Sequence, residues 1–165
     1  MNYHTTLLED AIEQFYFSLN IHHPQELKMK AIAELLEIPI HFVPISSRTY
    51  NGEIIIDSRL FPELQWEHFG HELCHVLLHY GNQILNINIL FLQYQEWKAN
   101  NFMLHFCVPT FMLQKYNITN INEGIPFIME EFKVTQEMAE IRLNHFRNQL
   151  QISKLQQQLN ALQQK

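Results

Sequence analysis

The chain has 165 residues, of which 47% are hydrophobic and 17% charged, a composition suited to one globular domain with its own core. Its formal net charge is −6 with only eleven Lys and Arg, which disfavours direct binding to nucleic-acid phosphates. The two cysteines, Cys74 and Cys107, are too few for a disulfide framework. Neither a signal peptide nor an apolar run of membrane-spanning length is evident. We therefore expect a cytoplasmic protein.

Hydrophobic periodicity and turn residues predict an α+β fold, a mostly helical body with a small β-sheet. We expect one domain over residues 1–165. Pro39 is predicted to end a helix, and Asn51-Gly52 is a strong two-residue hairpin signal. The elements predicted before residue 60 are helices over 5–19 and Gln25–Ile38, a strand over Ile40–Ile45, and hairpin strands over Arg48–Tyr50 and Glu53–Ile56.

The rest of the chain is predicted to be helical, and residues 135–165 form a C-terminal helical extension that starts after Thr135, a suitable N-cap. Before it, the predicted helices are Pro62 to Gly81, about Gln93 to Cys107, and shorter pieces near 110–116 and 121–131. The extension carries a 3-4-3 spacing of apolar residues at Ile152, Leu155, Leu159 and Leu162. This spacing permits a short helix-pairing seam. Packing on its own domain, or fraying of a Gln-rich tail, is the favoured interpretation.

The sequence His71-Glu72-Leu73-Cys74-His75 carries the chemistry. Two histidines four residues apart on a helix lie on the same side, one turn apart, and can bind one tetrahedral zinc ion. Glu72 lies on that side too and is placed to act as a general base on water at the metal. The pattern is typical of zinc peptidases, and a coincidental pattern of solvated histidines is the weaker alternative.

The predicted helix supports the motif because its histidines share one face. His68, His71, His75 and His79 fall within about 80° in projection, with Glu72 beside them. The neighbouring face is expected to be an apolar stripe that packs on the core. Its members are Phe69, Leu73, Val76, Leu77 and Tyr80.

A catalytic zinc usually has three protein ligands, so a third ligand is expected besides the two histidines. Gly81 stands where a metzincin would have histidine, and His79 is about 12 Å from His71 along the helix. Glu96 on the next long helix is the better candidate, the alternative being a solvated glutamate. Ala99 would permit close approach of that helix, and Asn100 could hydrogen-bond a ligand histidine. Both cysteines are interpreted as buried small hydrophobic residues.

The run His71-Glu72-Leu73-Cys74-His75-Val76-Leu77-Leu78-His79, followed by Glu96-Trp97-Lys98-Ala99-Asn100-Asn101-Phe102 and Val108-Pro109, resembles the ImmA/IrrE family of metallopeptidases. The resemblance covers roughly residues 25–145 and implies a compact zincin-like core. It implies that His71, His75 and Glu96 bind Zn2+, that Glu72 is the general base and, more weakly, that Asn100 supports a ligand. It also implies cleavage of a helix-turn-helix repressor, which relieves repression. Cys74 and Met103 depart from the residues common in that family.

Substrate contacts are less determined by the sequence. The strand Glu53–Ile56 could bind an extended substrate by strand addition, although an ordinary core strand is as good an interpretation. A donor for the developing oxyanion is expected, and the candidates are His79, Tyr80, Tyr50 and Arg48.

Two functions remain open from the sequence. The favoured one is a zinc-dependent, site-specific endopeptidase with a repressor as substrate. The alternative is a non-catalytic antirepressor that sequesters its target and holds a structural zinc. Glu72 argues against the alternative, since a structural site needs no base. Manganese or another divalent ion, and any oligomeric state, stay open.

Overall fold

The computed structural model describes residues 3–78, 89–116, 118 and 120–163. Within these residues a three-stranded sheet is combined with a predominantly helical body, so the α+β prediction is confirmed. The strands are β1 (Ile40–Val43), β2 (Arg48–Tyr50) and β3 (Glu53–Asp57). The helices are α1 (Leu7–Ser18), α2 (Met29–Leu35), α3 (Pro62–Leu78), α4 (Ile89–Cys107), α5 (Thr110–Leu113), α6 (Ile121–Phe132) and α7 (Gln136–Gln163).

The sheet has the strand order β1-β3-β2. Strand β3 pairs with β1 in parallel and with β2 in antiparallel orientation, and Ile54 lies between Ile40 and Thr49. The predicted hairpin is confirmed, because Asn51 and Gly52 both adopt positive φ, at 50° and 81°, as a tight hairpin turn requires. Ile54 and Ile55 are paired on both sides, so β3 is the central strand of the sheet. Of the two interpretations of Glu53–Ile56, the core strand therefore agrees with the structure and strand addition does not.

Two predicted helix boundaries are wrong. The predicted helix Gln25–Ile38 is a short 3-10 turn at Pro24–Glu26 followed by α2. The Glu26 carboxylate accepts the backbone N–H groups of His22 and His23 at 2.6 and 2.9 Å, which fixes the turn. Extended backbone at Lys28 then separates it from α2. Helix α4 begins at Ile89 rather than Gln93, since no helix-breaking residue interrupts that stretch.

The core is built around α3 and α4. The rings of Trp66 and Phe69 on α3 contact Phe106 on α4, with centroid separations of 5.2 and 6.1 Å. Phe69 and Leu73 are fully buried, as the predicted apolar stripe requires. Leu77 is 39% exposed, so the stripe prediction is wrong there: the stripe turns away from the core before the helix ends.

A buried polar cluster ties the chain's first helix to α4, α5 and α7. The side chain of Glu9 on α1 lies 3.8 Å from the Arg142 guanidinium and accepts a hydrogen bond from Thr110 at 2.5 Å. Arg142 is completely buried and donates to the carbonyl of Val108 at 2.9 Å. Burial lowers the pKa of the nearby His105 to about 3, assisted by the Arg142 charge. His105 is therefore neutral, and Arg142 is the cation that balances Glu9.

Helix α7 is packed on the domain at its start and projects from it towards its end. Ser153 is buried and accepts the backbone N–H of His4 at 3.1 Å. Beyond it, Leu155, Leu159 and Leu162 are 58%, 58% and 69% exposed. Of the two favoured interpretations, packing on the domain does not describe these three leucines, and fraying of the Gln-rich tail stays a prediction. No helix in the described part of the chain is both long and apolar enough to cross a bilayer.

The Glu9–Arg142 pair yields a stability prediction. Replacing Arg142 with Ala should lower the free energy of unfolding in urea by about 3–5 kcal/mol, because the Glu9 charge would stay buried without its cation. The matched control is Arg147→Ala on the same helix, which should cost about 1 kcal/mol or less. Adding Glu9→Gln to Arg142→Ala should cost less than the sum of the single changes. Equal losses in the two arginine variants would contradict this account.

Candidate metal centre

Helix α3 brings two imidazoles to one point. The residues His71 and His75 lie one helical turn apart, and their Nε2 atoms are separated by 3.1 Å. Their side chains are 19% and 13% exposed, so the two nitrogens are at the surface of the core rather than inside it. The predicted histidine pair is therefore aimed at a common point that a small ion can reach.

Helix α4 brings a carboxylate to the same point. Glu96 places Oε2 3.3 Å from Nε2 of His71 and Oε1 3.4 Å from Nε2 of His75. Two ligand atoms bound to one tetrahedral zinc at about 2.0–2.1 Å lie about 3.3 Å apart. The imidazole pair, and each imidazole with its nearer Glu96 oxygen, are close to this separation, and one ligand atom from each residue lies within 4.8 Å of the others. We call these three residues the His-His-Glu cluster.

The Asn100 side chain supports the cluster from behind. Its Oδ1 lies 3.0 Å from Nδ1 of His71. An amide oxygen can only accept, so Nδ1 carries the hydrogen and Nε2 presents its lone pair to the cluster. Asn100 follows Glu96 by one turn of α4, and both polar contacts therefore come from one face of that helix.

The two helices can approach this closely because small residues lie between them. At Gly70, an added Cβ atom would lie 3.0 Å from Sγ of Cys107 and 3.1 Å from Cδ1 of Phe106. Ala99 on the opposing helix is fully buried, as predicted from its small size. The position next to His71 thus leaves little space for a side chain, and α3 and α4 are in close contact there.

The proposed general base is held by the sheet. The Glu72 side chain is 9% exposed, and Oγ1 of Thr49 on β2 donates to its Oε2 at 2.9 Å. Burial raises the pKa of Glu72, and the Thr49 hydrogen bond opposes part of that rise. A carboxylate that binds protons more readily than usual and is held in one orientation can act as a base.

Thr49 is the site residue that sequence reasoning missed. Side chains alternate along a strand, so Thr49 faces α3 while its neighbours Arg48 and Tyr50 are exposed. Both neighbours are candidate oxyanion donors by sequence, and the structure shows Arg48 donating to the carbonyl of Ser46 at 3.1 Å. Part of the signal lies in the sequence, because the hairpin directly precedes the metal-motif helix and alternation leaves either Thr49 alone or Arg48 together with Tyr50 facing it.

The remaining predicted residues fall elsewhere. His79 and Tyr80 lie outside the described residues, so their proposed substrate contacts stay predictions. Cys74 and Cys107 are fully buried, and burial raises the pKa of Cys74 to about 11. This agrees with their interpretation as small hydrophobic residues. The fourth histidine of the predicted face, His68, contacts Oγ of Ser47 at 2.9 Å.

Comparison with known proteins points to one family. The model of the IrrE N-terminal-like domain, Peptidase M78, matches residues 27–144. The phage-like element PBSX protein XkdA of Bacillus subtilis (strain 168) is 42% identical over 144 residues, which are 84% of this chain and 72% of XkdA. The uncharacterized protein YqaB of the same organism is 34% identical over 155 residues, 91% of this chain and 90% of YqaB. The matched segment contains every residue of the site described above.

The cluster geometry predicts a metal affinity that depends on Glu96. The Glu96→Ala variant should bind zinc at least about 100-fold more weakly, a larger loss than that caused by removing an outer-shell partner. The affinity is measured by competition with a chromophoric chelator. The exposed helical residue Glu130 provides the matched control, and Glu130→Ala should bind zinc as the unaltered protein does. Equal zinc affinity in both variants would remove Glu96 from the ligand set.

Proposed function

Because the chain belongs to the IrrE N-terminal-like family of M78 peptidases, we propose that it is a zinc-dependent endopeptidase that cleaves a helix-turn-helix transcriptional repressor. The observation that carries the proposal is the convergence of three ligand atoms within 4.8 Å of one another beside a buried glutamate. A structural zinc site has four protein ligands and needs no base. The described residues contribute three ligands, and Glu72 stands next to them.

The donor set suits zinc. Two imidazoles and one carboxylate, with the fourth position open, are the ligands of known catalytic zinc sites. Zinc in such a site lowers the pKa of water towards 7 and polarises a carbonyl group. Asn100 keeps the His71 lone pair directed into the cluster. Each ligand is thus presented by a helix whose position the core fixes, which is what a preorganised site requires.

The protein's own contribution to peptide hydrolysis is proton transfer by Glu72. Its carboxylate takes a proton from the attacking water and then delivers it to the amine that leaves. The pKa of Glu72, which burial raises, favours the first half of this task, the uptake of a proton from water. Thr49 fixes one carboxylate oxygen, leaving the other free to contact water.

An extended substrate fits beside β2 rather than β3. In the described sheet β2 pairs only with β3, so its outer edge offers main-chain groups for strand addition. This edge belongs to the strand whose Thr49 contacts Glu72. A peptide paired there runs past the proposed base. The role that the sequence suggested for Glu53–Ile56 is thus transferred to Arg48–Tyr50.

The identity of the substrate, a repressor, is the more specific part of the proposal. It rests on the family and on the relative XkdA, whose printed name assigns it to a phage-like element. The acidic chain, with a net charge of −6, is better suited to contact a repressor than to compete for its DNA. If the chain binds the repressor without cleaving it, sequestration replaces cleavage as the proposed function.

Cleavage should depend on Glu72. We expect that co-expression with a helix-turn-helix repressor from the same genome yields a truncated repressor, and that Glu72→Gln yields an intact one while retaining zinc. Repressor mass and bound metal are both measured. The control is Glu130→Gln, at an exposed position, which should still cleave. An intact repressor that co-purifies with the unaltered chain would indicate sequestration instead.

The hydroxyl of Thr49 should matter for turnover more than for substrate binding. A hydrogen bond to a charged group contributes about 1.5–3 kcal/mol, so Thr49→Val should lower kcat by about 10- to 100-fold with a small change in KM. Thr49→Ser retains the donor and should restore most of the rate. If Val and Ser variants turn over equally, the hydroxyl does not orient Glu72.

A further inference from the structure

A cavity of about 620 Å3 lies between α3, α4 and the start of α7. We call it the α7 pocket. Its walls include three residues of the site described above, namely His71, Glu72 and Asn100. The pocket is therefore continuous with the His-His-Glu cluster. A group bound in the pocket would lie next to the peptide bond that is hydrolysed.

The pocket wall is largely apolar. Its hydrophobic members come from three helices and are Leu64, Met103, Leu104, Met138 and Ile141. Met138 is almost fully buried, whereas Ile141 is 38% exposed at the surface. Two methionines make the wall adaptable in shape. Met103, which departs from the smaller residue common in the family, therefore has a place in this wall.

The charged groups of the pocket are acidic. The lining residues Glu67 and Glu137 carry carboxyl groups, and the lining contains no Lys or Arg among the described residues. The Glu67 side chain is buried and accepts the backbone N–H of Thr135 at 2.6 Å, while Glu137 is exposed. Away from the His-His-Glu cluster, an acidic ligand group would meet the carboxyl groups of Glu67 and Glu137, and no Lys or Arg in the described lining offsets them.

Helix α7 is held against the metal-motif helix. Glu67 belongs to α3, so its hydrogen bond to Thr135 joins α3 to the residue before α7. Oγ1 of Thr135 then accepts the N–H of Met138 at 3.2 Å and caps the helix. The apolar wall is thereby fixed relative to His71. None of these α7 residues supplies a ligand atom to the His-His-Glu cluster. We therefore look to the substrate for the role of the α7 wall.

We propose that the α7 pocket binds a large apolar side chain of the substrate, such as Leu, Met or Phe, directly beside the scissile bond, and rejects Asp and Glu. The inference rests on the proposed peptidase function and deepens it. Metal ligands and base make the chain a peptidase, whereas the first two turns of α7 decide which bond is cut. Ile141 and Met138 are specificity-determining residues in this scheme.

The test is a cleavage profile of the full, zinc-loaded chain on a random peptide library, read by mass spectrometry. At one position flanking the cleaved bond, Leu, Met and Phe should be favoured over Asp and Glu by about tenfold or more. Ile141→Trp narrows the pocket and should shift that preference towards Ala and Val. The matched control is Ile152→Trp, at an exposed isoleucine on the same helix, which should leave the profile unchanged.

Failure of the pocket and failure of the peptidase give different results. Cleavage without an apolar preference, or with an unchanged profile in Ile141→Trp, overturns the pocket and leaves the peptidase intact. If neither the library nor the repressor is cleaved, the peptidase fails and the pocket is tested by binding. The six methionines are then labelled with 13C at their methyl groups. N-acetyl-leucinamide should shift the signals of Met103 and Met138, whereas N-acetyl-aspartamide should not. In the Ile141→Trp variant N-acetyl-leucinamide should cause no shift. Absence of a shift in the unaltered chain overturns the inference.

Discussion

Helices α3 and α4 approach each other at Gly70, where a Cβ atom would lie 3.0 Å from Sγ of Cys107. This contact helps to hold the helix of the histidines close to the helix of Glu96. A side chain at position 70 would require the side chains of Cys107 and Phe106 to shift by a few tenths of an ångström, and a close-packed interior transmits such shifts. The site therefore depends on a packing interaction that contains no ligand and no polar atom of the cluster.

The other elements that affect the site, namely α1, α7 and the sheet, are connected to these two helices by side-chain contacts. Tyr16 on α1 is fully buried and donates to the carbonyl of Phe106 on α4 at 2.7 Å. The Glu9–Arg142 pair joins α1 to α7 across α4, and Thr49 joins the sheet to α3. These polar contacts thus restrain the positions of α3 and α4. Loss of any one of them would leave a buried polar group unpaired and lower the free energy of unfolding.

The part of the site that lies on one helix was predictable from the sequence. The spacing of His71, Glu72 and His75 determines their common side, since helix geometry is regular. Glu96 and Asn100 were found by the same periodicity once a second helix was assumed, and the family resemblance is confirmed by the match over residues 27–144. These inferences needed only local geometry.

The parts that depend on tertiary pairing could not be read from the chain. A hairpin signal joins β2 to β3 but does not reveal that β1 adds in parallel to the other side, so the sequence leaves open whether β3 is an edge strand or a core strand. The break at Lys28 follows from side-chain hydrogen bonds of Glu26, which periodicity does not record. The α7 wall requires the contact between Glu67 and Thr135, 68 residues apart.

The length of β2 has a consequence for the shape of a substrate. Its three residues span about 10 Å, and main-chain pairing along them requires a partner that is already extended. A segment inside a helix has its N–H and C=O groups occupied by its own turns and cannot pair. A peptidase that uses this edge thus requires an extended target segment, whatever the sequence of that segment. Cuts would fall in the linkers between folded units, and the helices of the target would be released whole.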